Sequence, residues 1–521
     1  MAYGPAVTPK ILHLLVLACT CAILAWGCSS SEAPPAAPAP GESWPTAPPE
    51  EQGFDSALLA QVVEQIDQQE DLPVDSLQVA RNGVLILDAY FYPYLEDGTH
   101  DVESVTKSVT STLVGIAVDQ GLLTLDQNMV ASFPDLVPVP PSDDKADIEL
   151  HHLLTMTSGL DCGRTPGEPE LHEMMGSDNY VEYALDLPMA VPPETEFAYC
   201  SPGSHLVSAM LGKATGTSAL DFAWDNLFGP LGIEDAVWPE DPQGVSHGWG
   251  DLRLHPRDMA RVGQLFLNAG DWNGTQVVSR RWVGEATRKS VVVDTEGTGY
   301  GYQWWVLAGA FEGLYEALGD GGQAIIVWPD KDVVAVFTGR GVDVLAEVAP
   351  LVAAALQSDA ALDPNPEAYA RLNATIQDAT EPPVAKPAPP LPPMATEISG
   401  KVYRLDPNEL DVQCISLRFD SPSEVWLELT LGSGVFDLPV GMDGVPRFSE
   451  SGLTGIPIGV LGEWTDSSIF EMALDEVGGP NYRRVRGDFD DTPESVKLEF
   501  SDPGGYLPPQ TVQAASVSAC D

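Results

Sequence analysis

Between residues 55 and 69 the apolar positions recur with a helical period and fall on one face. Residues 76–80 and 84–91 instead alternate apolar and polar. They read as two strands joined at Asn82-Gly83, a pair suited to the positive φ angles of a two-residue hairpin turn. Helical patterns then dominate, over 104–120, 147–156, 202–228 with a break, and 255–269. Strand patterns return at 300–307, 324–328 and 333–337, and a helix over 344–356 closes the region. Strands early and late with helices between predict one sheet built from both ends of the region, plus an inserted helical lobe. A cleft between two such lobes is a favoured place for a pocket.

Outside this region the pattern changes twice. The run Glu381-Pro382-Pro383-Val384-Ala385-Lys386-Pro387-Ala388-Pro389-Pro390-Leu391-Pro392-Pro393 favours an extended spacer, and residues 361–394 are predicted to be a Pro-rich linker. Beyond it, short strand patterns at 402–403, 416–419, 425–431, 470–474 and 496–500 predict a small all-β domain over 395–521, with no catalytic constellation of its own. At the other end Lys10 precedes an apolar run, 11–26, of signal-peptide length and short for a bilayer span. It ends at Ala25-Trp26-Gly27-Cys28, which resembles a bacterial lipobox. The expectation is a signal peptide over 1–28 with Cys28 lipidated, a Pro/Ala/Ser-rich tether over 29–50, and a catalytic domain over 51–360. Such a chain is extracytoplasmic, and any membrane attachment runs through the N-terminal lipid alone.

Acidic residues number 77 against 25 basic ones, a net charge of −52. That charge repels phosphate backbones and anionic lipid surfaces, so nucleic acid is excluded as a partner. Of seven cysteines, Cys162, Cys200, Cys414 and Cys520 lie beyond the leader. Export permits disulfides, and pairing Cys162 with Cys200 and Cys414 with Cys520 keeps each bridge within one domain. No Cys-x-x-Cys or His/Cys cluster has zinc spacing, so neither metal nor cofactor is expected. His151-His152 reads as a solvated or capping pair on a helix.

The candidate chemistry begins at Ser104-Val105-Thr106-Lys107. Residues three apart on a helix share a face one turn apart, so Lys107 can reach the Ser104 hydroxyl. Serine is a weak nucleophile until a base takes its proton, and a buried amine can serve. Downstream, Tyr199-Cys200-Ser201 opens a helix, where a phenol can relay protons. Gly319-Asp320-Gly321-Gly322-Gln323 precedes a strand, and glycines at a strand edge let a ligand approach backbone N–H groups. No Gly-x-Ser-x-Gly elbow is present, so an α/β-hydrolase is not supported.

The order of these three elements, with Leu153–Leu160, Trp249–Ala260 and Gly301-Tyr302-Gln303-Trp304-Trp305 between them, resembles the serine β-lactamase and penicillin-binding superfamily. The resemblance is nearest to its class C β-lactamase-like esterase and amidase branch, over about residues 53–355. It implies a two-lobed α/β + α fold, an antiparallel sheet flanked by helices plus a helical lobe, followed here by the all-β domain. It also implies roles: Ser104 as nucleophile, Lys107 as proton acceptor, and Tyr199 as shuttle to the leaving group. The N–H groups of Ser104 and Gln323 would form the oxyanion hole, beside Gly321 and Gly322.

Two positions depart from that family pattern. Ser201 stands where an amide usually bonds the lysine and the substrate, and Asp320 stands where a cation is usual. An aspartate there favours protonated rather than neutral Lys107 unless another group offsets it. The implied function is an exported serine hydrolase acting on a small ester or amide through an acyl-enzyme. A β-lactamase or D-Ala-D-Ala peptidase, and a weakened binding or sensor lipoprotein, are the alternatives. Oligomeric state is left open.

Overall fold

The computed structural model describes residues 44–69, 73–136, 143–165, 167–408, 410–450, 452–489, 492–502 and 509–520. The predicted leader, Cys28 included, lies outside them.

Asp55 caps the first helix, α1 (Ser56–Gln68), its carboxylate accepting from the N–H groups of Ala57 and Leu58 at 2.7 and 3.1 Å. The strands β1 (Val74–Arg81) and β2 (Val84–Tyr90) turn at Asn82 and Gly83, whose φ angles of 51° and 76° are both positive, as the hairpin requires. Helix α2 (Val105–Asp119) follows, buried from Val105 through Ala117, and packs beside α3 (Ser201–Thr215) in the helical lobe. After α4 (Pro256–Leu267) come β3 (Val291–Val292), β4 (Gly299–Tyr300), β5 (Trp305–Val306), β6 (Tyr315–Gly319), β7 (Gln323–Trp328) and β8 (Val333–Gly339).

These strands form one antiparallel sheet in the order β2-β1-β8-β7-β6-β5-β4-β3. The first hairpin joins the last strand, with Leu77 opposite Phe337. Alternation along β7 and β8 splits the core in two. Ile325, Val327, Val334 and Val336 face the helical lobe and α4, while Ala324, Ile326, Ala335 and Phe337 face α1. Gly263 lets α4 lie close on the sheet: a Cβ there would stand 2.6 Å from Val334 Cγ1.

Four sequence expectations are corrected. Residues 44–50, expected in the tether, belong to the folded domain: Trp44 is buried, its indole N–H donates to Gly83 O at 2.9 Å, and Thr46 bridges Leu85. Residues 300–307 are two short strands, β4 and β5, because Gln303 (φ 60°) turns the chain inward. There its carbonyl accepts from Ser108 Oγ at 2.5 Å and its N–H donates to Leu154 O at 3.1 Å. The helix over 344–356 is two pieces, Val344–Glu347 and Ala349–Ala355, divided at a proline-led start. The linker over 361–394 contains a helix, α5 (Pro366–Ala379), capped by Asn365 and burying Leu372 and Ala379 in the α1-side core. Within it the stretches 361–365 and 380–392 are without helix or strand, and a second helix starts at Pro393.

The C-terminal region is a ten-stranded antiparallel sheet: β9 (Val402–Leu405), β10 (Val412–Ser421), β11 (Glu424–Leu431), β12 (Gly434–Val440), β13 (Arg447–Ser449), β14 (Ile458–Trp464), β15 (Ile469–Glu476), β16 (Tyr482–Asp488), β17 (Ser495–Ser501) and β18 (Gln510–Val517). It curls into a barrel, since Gly441 after β12 donates to Val460 O at 3.0 Å and accepts from the Gly462 N–H at 2.8 Å, both in β14. Strict alternation along β15 and β17 sends Phe470, Met472, Leu474, Val496, Leu498 and Phe500 into one apolar core. Both expected disulfides are present, Cys162–Cys200 and Cys414–Cys520, with Cα atoms 5.4 and 6.1 Å apart. Among the described residues no helix is long and apolar enough to cross a membrane.

Candidate active site

Ser104 is the residue immediately ahead of α2, and Lys107 lies one turn into it. Lys107 Nζ stands 2.8 Å from Ser104 Oγ and donates to Trp249 O at 2.8 Å. The lysine is 1% exposed, so these oxygens and the Tyr199 ring replace its water. That ring lies 4.8 Å from Nζ at its centroid and stacks on Trp305 at 5.9 Å and 19°. The loop over 249–252 is stitched to the same turn of α2: Val102 N–H donates to Leu252 O at 2.8 Å, and Leu252 N–H to Thr106 Oγ1 at 3.2 Å. His247 Nδ1 and Asp251 bracket this loop at 2.5 Å, with the His247 ring stacked 4.1 Å from that of Trp249.

Tyr199 is held from its other side. The Cys162–Cys200 bridge ties the next residue down, and Gly163 (φ 68°) passes so near that a Cβ would stand 1.7 Å from Tyr199 O. Ser201 does not face Lys107. Its hydroxyl donates to Glu168 at 2.9 Å and its N–H to the same carboxylate at 3.1 Å. The short serine side chain thus anchors the start of α3.

The glycine turn divides in an unexpected way. Gly319, at the end of β6, is the residue against the nucleophile segment: a Cβ there would meet Val102 O at 2.4 Å and Glu103 Cβ at 3.0 Å. Gln323 pairs with Gly319 across the turn, but its side chain points to β8, donating to Gly339 O at 2.6 Å and accepting from Gly339 N–H at 3.1 Å. Gly321 and Gly322 have φ angles of 79° and 95° and pack under the next loop, Gly321 O accepting from Gly341 N–H at 2.8 Å. Gly319 is therefore the residue of this turn that packs against the segment ahead of Ser104, while the Gln323 side chain is directed to β8.

Carboxyl groups crowd this end of α2. Glu103 (φ 48°) precedes the nucleophile and donates its N–H to Asp101 at 2.9 Å. Burial holds the Glu103 carboxyl well above the usual carboxylate range; Asp101, Asp251 and Asp320 push the same way, and Lys107 opposes them. Asp101 is also raised, by burial and then by Asp251. Acids raised in this way carry less negative charge beside the helix start than ionised carboxylates would. Glu103, Glu168 and the Trp249 carbonyl are site groups that sequence reasoning missed, and no local pattern marks them.

His151, His152 and Glu194 are, among the described residues, a group whose ligand atoms lie within 4.8 Å of one another. Glu149 N–H donates to His152 Nδ1 at 3.0 Å, so the ring proton sits on Nε2 and faces Glu194 at 3.3 Å. His152 thus takes part in the cap of this helix, while His151 lies edge-on to Tyr302 at 5.9 Å.

A family model described as Beta-lactamase matches residues 59–357. A 6-aminohexanoate-dimer hydrolase of Paenarthrobacter ureafaciens is 25% identical over 288 residues, covering 51% of this chain and 72% of that protein. Esterase EstB of Burkholderia gladioli is 28% identical over 155 residues, 27% of this chain and 39% of that protein. A solved structure, the octameric penicillin-binding protein homologue from Pyrococcus abyssi, covers 88% of this chain and 99% of its own, at 16% identity and a TM-score of 0.46. The chain belongs to the beta-lactamase family and is an enzyme of its serine-hydrolase kind.

Proposed function

We propose that the protein cleaves a small ester or amide through an acyl-enzyme on Ser104. The observation that carries this reading is the contact of 2.8 Å between Ser104 Oγ and the Nζ of a buried Lys107. A neutral amine has one lone pair and two N–H groups. With one N–H on Trp249 O, the lone pair is free to take the Ser104 proton.

Ser104 Oγ then bonds the acyl carbon while its proton passes to Lys107. The carbonyl oxygen becomes an oxyanion facing N–H groups of Ser104 and of the Gly319–Asp320 backbone. As that intermediate collapses, the bond to the leaving alcohol or amine breaks, and the leaving group takes a proton relayed by Tyr199. Water next attacks the acyl-enzyme and gives up its proton through the same pair, releasing the acid and restoring Ser104. Asp251 and Asp320, beside the site, disfavour carboxylate-bearing substrates and favour neutral or cationic ones.

The leader pattern and two disulfides support export, with attachment at Cys28. A fluorophosphonate probe should label wild-type protein at Ser104 and leave Ser104→Ala unlabelled, with turnover of esters or amides exceeding that of penicillins. Penicillin turnover above ester turnover supports the β-lactamase alternative instead. Absence of any label on Ser104 overturns both.

A further inference from the structure

The barrel carries no catalytic constellation, yet its β15–β16 hairpin reaches the two segments that frame Ser104. Gly478, in that hairpin, accepts from the Asp101 N–H at 2.8 Å, three residues ahead of the nucleophile. The fit is close: a Cβ on Gly478 (φ 86°) would stand 2.6 Å from Thr99 O. Asp475, at the end of β15, pairs with Arg340 Nη1. Arg340 Nε lies 3.1 Å from Asp75, and Asp75 in turn lies 2.9 Å from His100 Nε2. His100 Nδ1 stands 2.7 Å from the carbonyl of Asp101. An unbroken polar chain therefore runs from the barrel to the residue that the barrel also holds by its backbone.

Arg340 has a second consequence. Gly339, just before it, is bonded on both sides to the Gln323 amide, and Gly341, just after it, donates to Gly321 O. Anchoring Arg340 thus anchors the turn whose Gly319 lies against Val102 and Glu103. Arg340 is 12% exposed and its partners Asp75, His100 and Asp475 are 3%, 0% and 17% exposed. A buried guanidinium needs its carboxylates, and removing one strands the charge.

We propose that the barrel is a structural part of the active site, with Asp475 and Gly478 acting as positioning residues that fix the Ser104 segment and the facing glycine turn. This rests on the hydrolase reading above. Its test uses the full chain with Asp475→Ala, Asp475→Asn, Gly478→Ala and, as a control in the barrel core away from the interface, Leu498→Ala.

Because misplacement of reacting groups by about 1 Å can cost on the order of 100-fold, Asp475→Ala should slow fluorophosphonate labelling of Ser104 and lower kcat by about tenfold or more, with KM little changed. Asp475→Asn keeps a hydrogen-bond acceptor and should recover part of that loss. Amide exchange of residues 99–104 and 319–323 should quicken in Asp475→Ala and stay as in wild type in Leu498→Ala. Should Asp475→Ala not fold, Gly478→Ala carries the same expectation, since it displaces the turn and spares the ion pair. Wild-type rates and exchange in a folded Asp475→Ala or Gly478→Ala overturn the proposal, as does equal slowing by Leu498→Ala. A wild-type protein that never labels at Ser104 defeats the hydrolase reading instead, and the exchange readout still decides the barrel's role.

Discussion

Lys107 is bound by two oxygens, its own nucleophile's and a carbonyl 142 residues away, and that division of labour sets its task. A substitution that keeps bulk but removes the amine, Lys107→Met, should lower the rate of Ser104 acylation by about 10²–10⁴-fold, the usual contribution of a positioned base. Rapid-mixing labelling kinetics check this. Glu316 in β6 is 2% exposed, and one of its oxygens has no partner among the described residues. Burial, and then Asp343, push its carboxyl from 4.5 up to about 8. The folded chain therefore keeps a proton that the unfolded chain releases, and stability falls as pH rises between those values. Glu316→Gln removes this slope. Its melting temperature should exceed that of wild type by more at about pH 8.5 than at about pH 5, and equal gains at both would contradict the assignment.

Among the elements, α2 and the loop that ends at Tyr199 show two ways of holding a catalytic group. Ser104 and Lys107 are placed by one turn of a single helix, so their relation is local and was readable from spacing. Tyr199 depends on partners in distant segments: the Cys162–Cys200 bridge, the close passage of Gly163, and the face of Trp305. Reduction, or Cys162→Ser with Cys200→Ser, should depress turnover while the far-ultraviolet dichroism of the fold is kept. Full turnover after verified reduction would sink this view of the bridge. The same contrast explains the corrected elements. The 300–307 stretch has a strand's composition, but tertiary bonds to Ser108 and Leu154 turn it at Gln303. The 361–394 stretch has a linker's prolines, but Asn365 and Pro366 start a helix within it that docks on the α1-side core.

At the scale of the molecule, the sheet closes the first hairpin onto the last strand, and the barrel closes onto the ground between them. That arrangement puts Asp475 of the barrel beside Arg340 and Asp75 of the hydrolase sheet, two residues 265 positions apart in sequence, as 340 − 75 gives. The sequence by itself determined the parts whose causes are local: the α2 pair, the Asn82-Gly83 hairpin, the alternating barrel strands, and the ordered motifs that resemble the family. Tertiary structure alone decided which carbonyl receives Lys107, which carboxylate engages Ser201, and which glycine of the turn lies against Val102 and Glu103. Helix and turn periodicity act over a few residues and leave a mark in the text of the chain. Contacts between distant segments depend on how whole elements pack, and no short window of sequence encodes them.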